Sequence, residues 1–206
     1  MINYNDVFEN NAITYPDYRK MVDELLEGGK TTGPDQSDAM LHYTKMNVQR
    51  MKRVEKTTVL NDELLATVHQ LKASYHFLVI TEGWCGDAAQ IVPVIHQLTL
   101  AAPDKLRLKL ILRDQHLPIM DQHLTNGGRA IPVLLVLDQD NNLLLPKWGP
   151  RPAVLQQLLA DWKKENTDPM LIAEKLHGWY AKDKTQSTQQ ELKALLVKLL
   201  SVGNIS

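Results

Sequence analysis

The chain has 206 residues, 44% of them hydrophobic, with 23 basic against 24 acidic side chains and a formal net charge of −1. That length supports one good core with additions, and the evenly mixed charge provides no positive field for DNA or RNA. No apolar run approaches the ~20 residues needed to span a bilayer. The first residues lack the charged-then-apolar layout of a secretory signal, and a lone cysteine, Cys85, fits a reducing compartment. The expected location is therefore the cytoplasm.

The first element expected is a helix opening at Thr14-Tyr15-Pro16-Asp17, with Tyr18, Met21, Val22, Leu25 and Leu26 on one side and Gly28-Gly29 ending it. After a Gly/Pro loop, Ser37 or Asp38 caps a second helix that runs to about Lys56. Its basic face carries Arg50, Lys52 and Arg53. Asn61 caps a third helix, which leads into a strand over Tyr75–Ile80. There the pattern changes sharply. The apolar run stops at Gly83-Trp84, and a helical pattern starts with Cys85 in its first turn and continues to Leu100.

Lys105–Arg113 alternates and then turns apolar, as a strand with one partly wetted face does. A short helix over Leu117–Leu124 closes at Asn126-Gly127-Gly128. Ile131–Asp138 reads as a buried strand with Pro132 at its beginning, where no interior ladder bond is lost. A tight turn at Gln139–Asn142 should fold Leu143–Leu145 back as a hairpin partner. Gly149-Pro150-Arg151-Pro152 introduces a helix with Val154, Leu155, Leu158, Leu159 and Trp162 on one side, and two more helices follow around Pro169–Tyr180 and Thr188–Leu200.

This order resembles the thioredoxin fold. Trp84-Cys85-Gly86 is similar to the start of the Trp-Cys-Gly-Pro-Cys signature, and Pro93 falls where that family kinks its active-site helix. Ile131-Pro132 matches the segment whose proline is cis and faces the sulfur, and Gly149 matches the glycine before the closing helix. The resemblance implies an α/β fold, a central mixed sheet of about four strands between helices. It divides the chain into an N-terminal helical extension over 1–60, a thioredoxin-like core over 61–165 and C-terminal helices over 166–206, packed as one domain. It also implies a catalytic Cys85 presented at the surface, with Trp84, Gly86, Asp87, Ile131 and Pro132 forming the substrate groove.

The departures limit the chemistry. Ala88 stands where the family carries its resolving thiol, Asp87 where it carries the proline between its cysteines, and Val79 where a buried acid sits behind the site. Cys85 alone can attack a disulfide, but an external thiol such as glutathione, as co-substrate, must release it. A helix start lowers a thiol pKa, and the carboxylates of Asp87 and Glu82 raise it. Two readings stand: a monothiol redox oxidoreductase acting on a protein or low-molecular-weight thiol or disulfide, and an inactive thioredoxin fold that binds a protein or peptide through the same groove. No metal site is expected, because the seven histidines are scattered and none pairs at i,i+4.

Overall fold

Three strands form the centre of the molecule in the computed structural model, which describes residues 2–165 and 168–202. The chain enters through a short helix α1 (Tyr4–Asp6) that passes into a π-turn over Val7–Asn11. Two long helices follow, α2 (Tyr15–Glu27) and α3 (Asp38–Thr57), then α4 (Asp62–His69). The caps foreseen from sequence are made: Thr14, Ser37 and Asn61 each accept the amide three residues on.

Strand β1 (Tyr75–Thr81) is buried along its whole length, as a central strand covered on both faces must be. Helix α5 (Gly86–Ala101) crosses to β2 (Leu106–Leu112), which pairs parallel to β1 with Tyr75 opposite Leu106 and Thr81 opposite Leu112. After a 3-10 turn and the single-turn helix α6 (Leu117–Met120), β3 (Val133–Leu137) pairs antiparallel on the other side of β1, with Val79 opposite Leu134. The sheet order is thus β2-β1-β3. Helix α5 is buried on nearly every side, from Asp87 through Ile95 and again at Leu98, because α3 covers the side turned away from the sheet.

The expected fourth strand does not form. Leu143 and Trp148 each make one isolated bridge to β3, and between them only the Leu144 amide reaches back, donating to Val136. Pro146 explains the interruption, since it has no amide for the ladder. Asp138 also takes up the turn, its Oδ1 accepting from the amides of Asp140 and Asn142.

The chain closes with α7 (Ala153–Glu165), α8 (Pro169–Asp183) and α9 (Gln186–Val202). Helix α9 packs against α4 through the fully buried Leu192, Leu196 and Leu199, so it belongs to the core. Helix α8 is different. Its one buried side chain is Tyr180, and that residue reaches the head of α5.

Candidate functional site

The loop between β1 and α5 is fastened from three directions. Gly83 donates its amide to Thr32 Oγ1 at 2.8 Å, and its carbonyl accepts from Asn47 Nδ2 of α3 at 3.0 Å. Cys85 then folds back, its amide donating to the Glu82 carbonyl at 3.2 Å. With φ −80° and ψ 115° it is the N-cap of α5, and its sulfur accepts the Ala88 amide at 3.5 Å. A thiol here does what a serine hydroxyl does at other helix starts.

Opposite the helix start stands the segment before β3. Cys85 Sγ lies 3.3 Å from the Ile131 carbonyl, to which the thiol donates, and the Ile131–Pro132 peptide is cis. Gly149 lies at φ 115°, and a Cβ there would strike the Pro132 carbonyl, so only glycine fits. The site residues named from sequence therefore meet at one place, with Cys85, Gly86 and Asp87 on the helix start and the Ile131 carbonyl, which precedes Pro132, facing the sulfur. Trp84 lies half-buried beside them, with the Arg113 guanidinium 4.6 Å over its ring.

The expectation that Cys85 is presented at the surface is not met. The residue is 8% exposed. Helix α8, remote in sequence, folds back over the head of α5: a Cβ on Gly86 would fall 2.7 Å from His177 Cε1 and 3.4 Å from Arg50 Nη1. Gly86 is thus needed for the close approach of α8 and α3, a role its place in the motif did not reveal.

Burial decides the state of the sulfur. It pushes the thiol up to about 12, and the Asp87 carboxylate adds to the rise. The amides of Ala88 and Asp87 and the Arg151 guanidinium pull the other way and lose. Cys85 is held as a protonated thiol.

Asp87 is also more than a helix-start acid. It is 6% exposed, and the Arg151 guanidinium donates to Oδ2, through Nη2 and through Nε at 3.2 Å. Tyr180 donates its hydroxyl to Oδ1 at 2.6 Å. An isolated buried carboxylate is strongly unfavourable, so this guanidinium and hydroxyl are what keep Asp87 inside. Burial and the same carboxylate raise the Tyr180 phenol well above its usual range.

Two further groups complete the surroundings. His177 is pushed down to about 4 by burial and by the cations Arg50 and Arg53, and its buried Nδ1 has no partner among the described residues. Glu82 is fully buried at the foot of the loop, one oxygen accepting the Asp114 amide at 2.9 Å and the other unpartnered among the described residues. Burial raises its carboxyl pKa. Among the described residues no group of histidine, cysteine and acids is arranged to hold a metal ion.

Arg151, Tyr180, His177 and the interior position of Glu82 went unseen in the sequence. For Arg151 a signal existed: a buried acid requires a cation, and Arg151 stands in the Gly-Pro-Arg-Pro segment already placed near the site by Gly149. Tyr180 and His177 carry no such signal, because their position depends on how α8 docks.

Residues 33–163 match the family model described as Thioredoxin, a span running from the loop before α3 nearly to the end of α7. No curated protein matches the chain. Among solved structures, a protein of unknown function from Pseudomonas aeruginosa aligns with a TM-score of 0.54 at 19% identity, covering 90% of this chain and 98% of that one. An HIV epitope-scaffold aligns at 0.51 and 17% identity, covering 94% and 99%. At these identities the likeness is one of fold.

Proposed function

This chain belongs to the thioredoxin family, and from that premise we propose that it carries out thiol–disulfide exchange through the single sulfur of Cys85, with an external thiol completing the cycle. The observation carrying this reading is the sulfur at the head of α5, 3.3 Å from the carbonyl that precedes Pro132. Trp84, Gly86, Asp87, Ile131 and Pro132 form the substrate groove around it. In the first step Cys85 loses its proton and its thiolate attacks one sulfur of a mixed disulfide, such as a glutathionylated protein. A new S–S bond forms, and the displaced thiolate takes up a proton. A second thiol, with glutathione the natural class in a reducing cytoplasm, then attacks the adduct, leaves as part of the new disulfide and restores the Cys85 thiol.

The protonated, covered sulfur belongs to a resting form in this reading. Exchange requires α8 to shift from the head of α5, where its one buried side chain, Tyr180, bonds Asp87. The test is adduct formation. Incubation with glutathione disulfide should add one glutathione to the wild-type chain and none to Cys85→Ser, and Tyr180→Phe should react faster than wild type. No adduct on either the wild type or Tyr180→Phe, in samples shown to be folded, overturns the reading.

A second reading has its own observation. A sulfur 8% exposed, with its pKa pushed up to about 12, suits a fold that has retired its chemistry and keeps the groove for binding a protein or peptide. Absence of the adduct favours this alternative.

A further inference from the structure

A cleft of about 370 Å³ lies between α3 and the α8–α9 junction, with Gln90 of α5 in its lining. Its polar lining comes from Arg53, Thr57, Gln90, Tyr180, Lys184 and Thr185. The hydrogen-bonding capacity left over in it is strongly one-sided. Gln90 is 4% exposed, its Oε1 accepts from Arg53 Nη2 at 2.9 Å, and its Nε2 donor has no partner among the described residues. Thr185 Oγ1 accepts from Gln189 Nε2 at 2.9 Å, which leaves its own O–H free to donate. Tyr180 has committed its hydroxyl to Asp87.

The charge is one-sided as well. Neither Arg53 nor Lys184 has an acidic partner among the described residues, and Arg50 stands close enough to Arg53 for the two cations to repel. Two acids nearby in the chain are occupied: Asp87 by Arg151 and Tyr180, and Asp183 by the amide and hydroxyl of Ser187. The backbone that brings Lys184 and Thr185 to the cleft is costly. Both residues have positive φ, 49° and 69°, a conformation that a β-branched threonine seldom adopts.

The geometry points to a binding site for a small oxyanion in this cleft, held by the Arg53 guanidinium, the Gln90 amide, the Lys184 ammonium and the Thr185 hydroxyl. The unpartnered amide donor of the largely buried Gln90, the free hydroxyl of Thr185 and the exposed, unpaired cations Arg53 and Lys184 around one cleft suit a ligand group made of acceptors with negative charge, which is the chemistry of a phosphate or a carboxylate. The volume leaves room for a metabolite-sized body behind the charged group. The site goes beyond the thiol chemistry proposed above, and its test does not involve the sulfur.

The experiment is isothermal titration calorimetry of the full chain with inorganic phosphate and, separately, with succinate, both at fixed ionic strength. One saturable site is expected for at least one of the two. The preferred ligand assigns the site to phosphoryl or to carboxylate groups. Arg53→Gln and Lys184→Gln each remove a charge-assisted contact and should weaken binding about tenfold. Lys52→Gln removes the neighbouring cation of the same helix, exposed as Arg53 is but outside the cleft lining, and should leave affinity within about twofold. Absence of saturable binding to both ligands overturns the inference. So does an unchanged affinity in Arg53→Gln, or a loss in Lys52→Gln equal to that in Arg53→Gln.

Discussion

Replacing Asp87 with asparagine tests the electrostatic account of the thiol most directly. The Asp87 carboxylate raises the Cys85 pKa, whereas Arg151, which it engages, acts to lower it. The asparagine side chain retains an oxygen for the Tyr180 hydroxyl and removes the charge. A neighbouring charge changes an acid constant by about one to three powers of ten, and two is a reasonable middle value here. The thiol midpoint then drops from about 12 toward ~10, and the thiolate fraction at pH ~8 rises about 100-fold. A less basic thiolate is also a weaker nucleophile, with a Brønsted slope of about 0.4–0.5, which cancels about tenfold of that gain. The net expectation is alkylation about tenfold faster.

The assay is the rate of Cys85 alkylation by iodoacetamide as a function of pH, in wild type and Asp87→Asn. The midpoint separates charge from access, because a change in access alone scales the rate at every pH and leaves the midpoint in place. The substitution leaves Arg151 without its counter-charge, and breaking such a buried pair costs about 3–5 kcal/mol. Thermal unfolding of the variant must therefore be followed in parallel. A folded Asp87→Asn protein whose midpoint equals that of wild type would refute the reasoning.

Three more outcomes are expected. Glu82 has a folded pKa raised above 4.5, so its contribution to stability is intact below that value and is lost as pH rises through the folded pKa; Glu82→Gln should accordingly gain in Tm relative to wild type as pH is raised from ~4 to ~8, and a constant difference would refute it. Leu196 is fully buried between α9 and the rest of the core, so Leu196→Ala should cost about 2–5 kcal/mol in denaturant unfolding, and a loss below that range would mean α9 is an appendage. A disulfide-reduction assay without glutathione should show no turnover, since Ala88 cannot resolve the mixed disulfide; sustained turnover would refute the monothiol scheme.

The strands and most helices were legible because local pattern and burial agree in them. Val79 and its neighbours in β1 are apolar on both faces, and so is β3, as strands covered from both sides must be. The meeting of Cys85 with Ile131 was legible only through the resemblance, since 46 residues separate them. The hairpin was misread because three leucines gave a strand-like run while Pro146, just beyond them, removes the amide that would have continued the ladder. The covering of the thiol was illegible for another reason. Helix α8 shows no single apolar stripe that fixes its docking, and beside the partly buried Leu176 and Trp179 its polar contact with α5 is one tyrosine meeting one aspartate 93 residues away.

That tyrosine ties the redox reading to the C-terminal helices. A helix start by itself favours a thiolate, and the amides of Ala88 and Asp87 still act on Cys85 in that direction. They are overcome because burial enters first and the Asp87 carboxylate second. Both depend on the same arrangement, since Tyr180 helps hold Asp87 inside while α8, which carries it, covers Gly86 with His177. On the proposed reading, displacing α8 would open the head of α5 to water and free Asp87 to be solvated, reducing both opposing effects together. The helix-start amides would remain, because they are made by α5 itself. In the proposed scheme one movement would convert a protonated, sheltered sulfur into one whose local environment favours the thiolate, and Tyr180→Phe is the smallest change that should shift that balance.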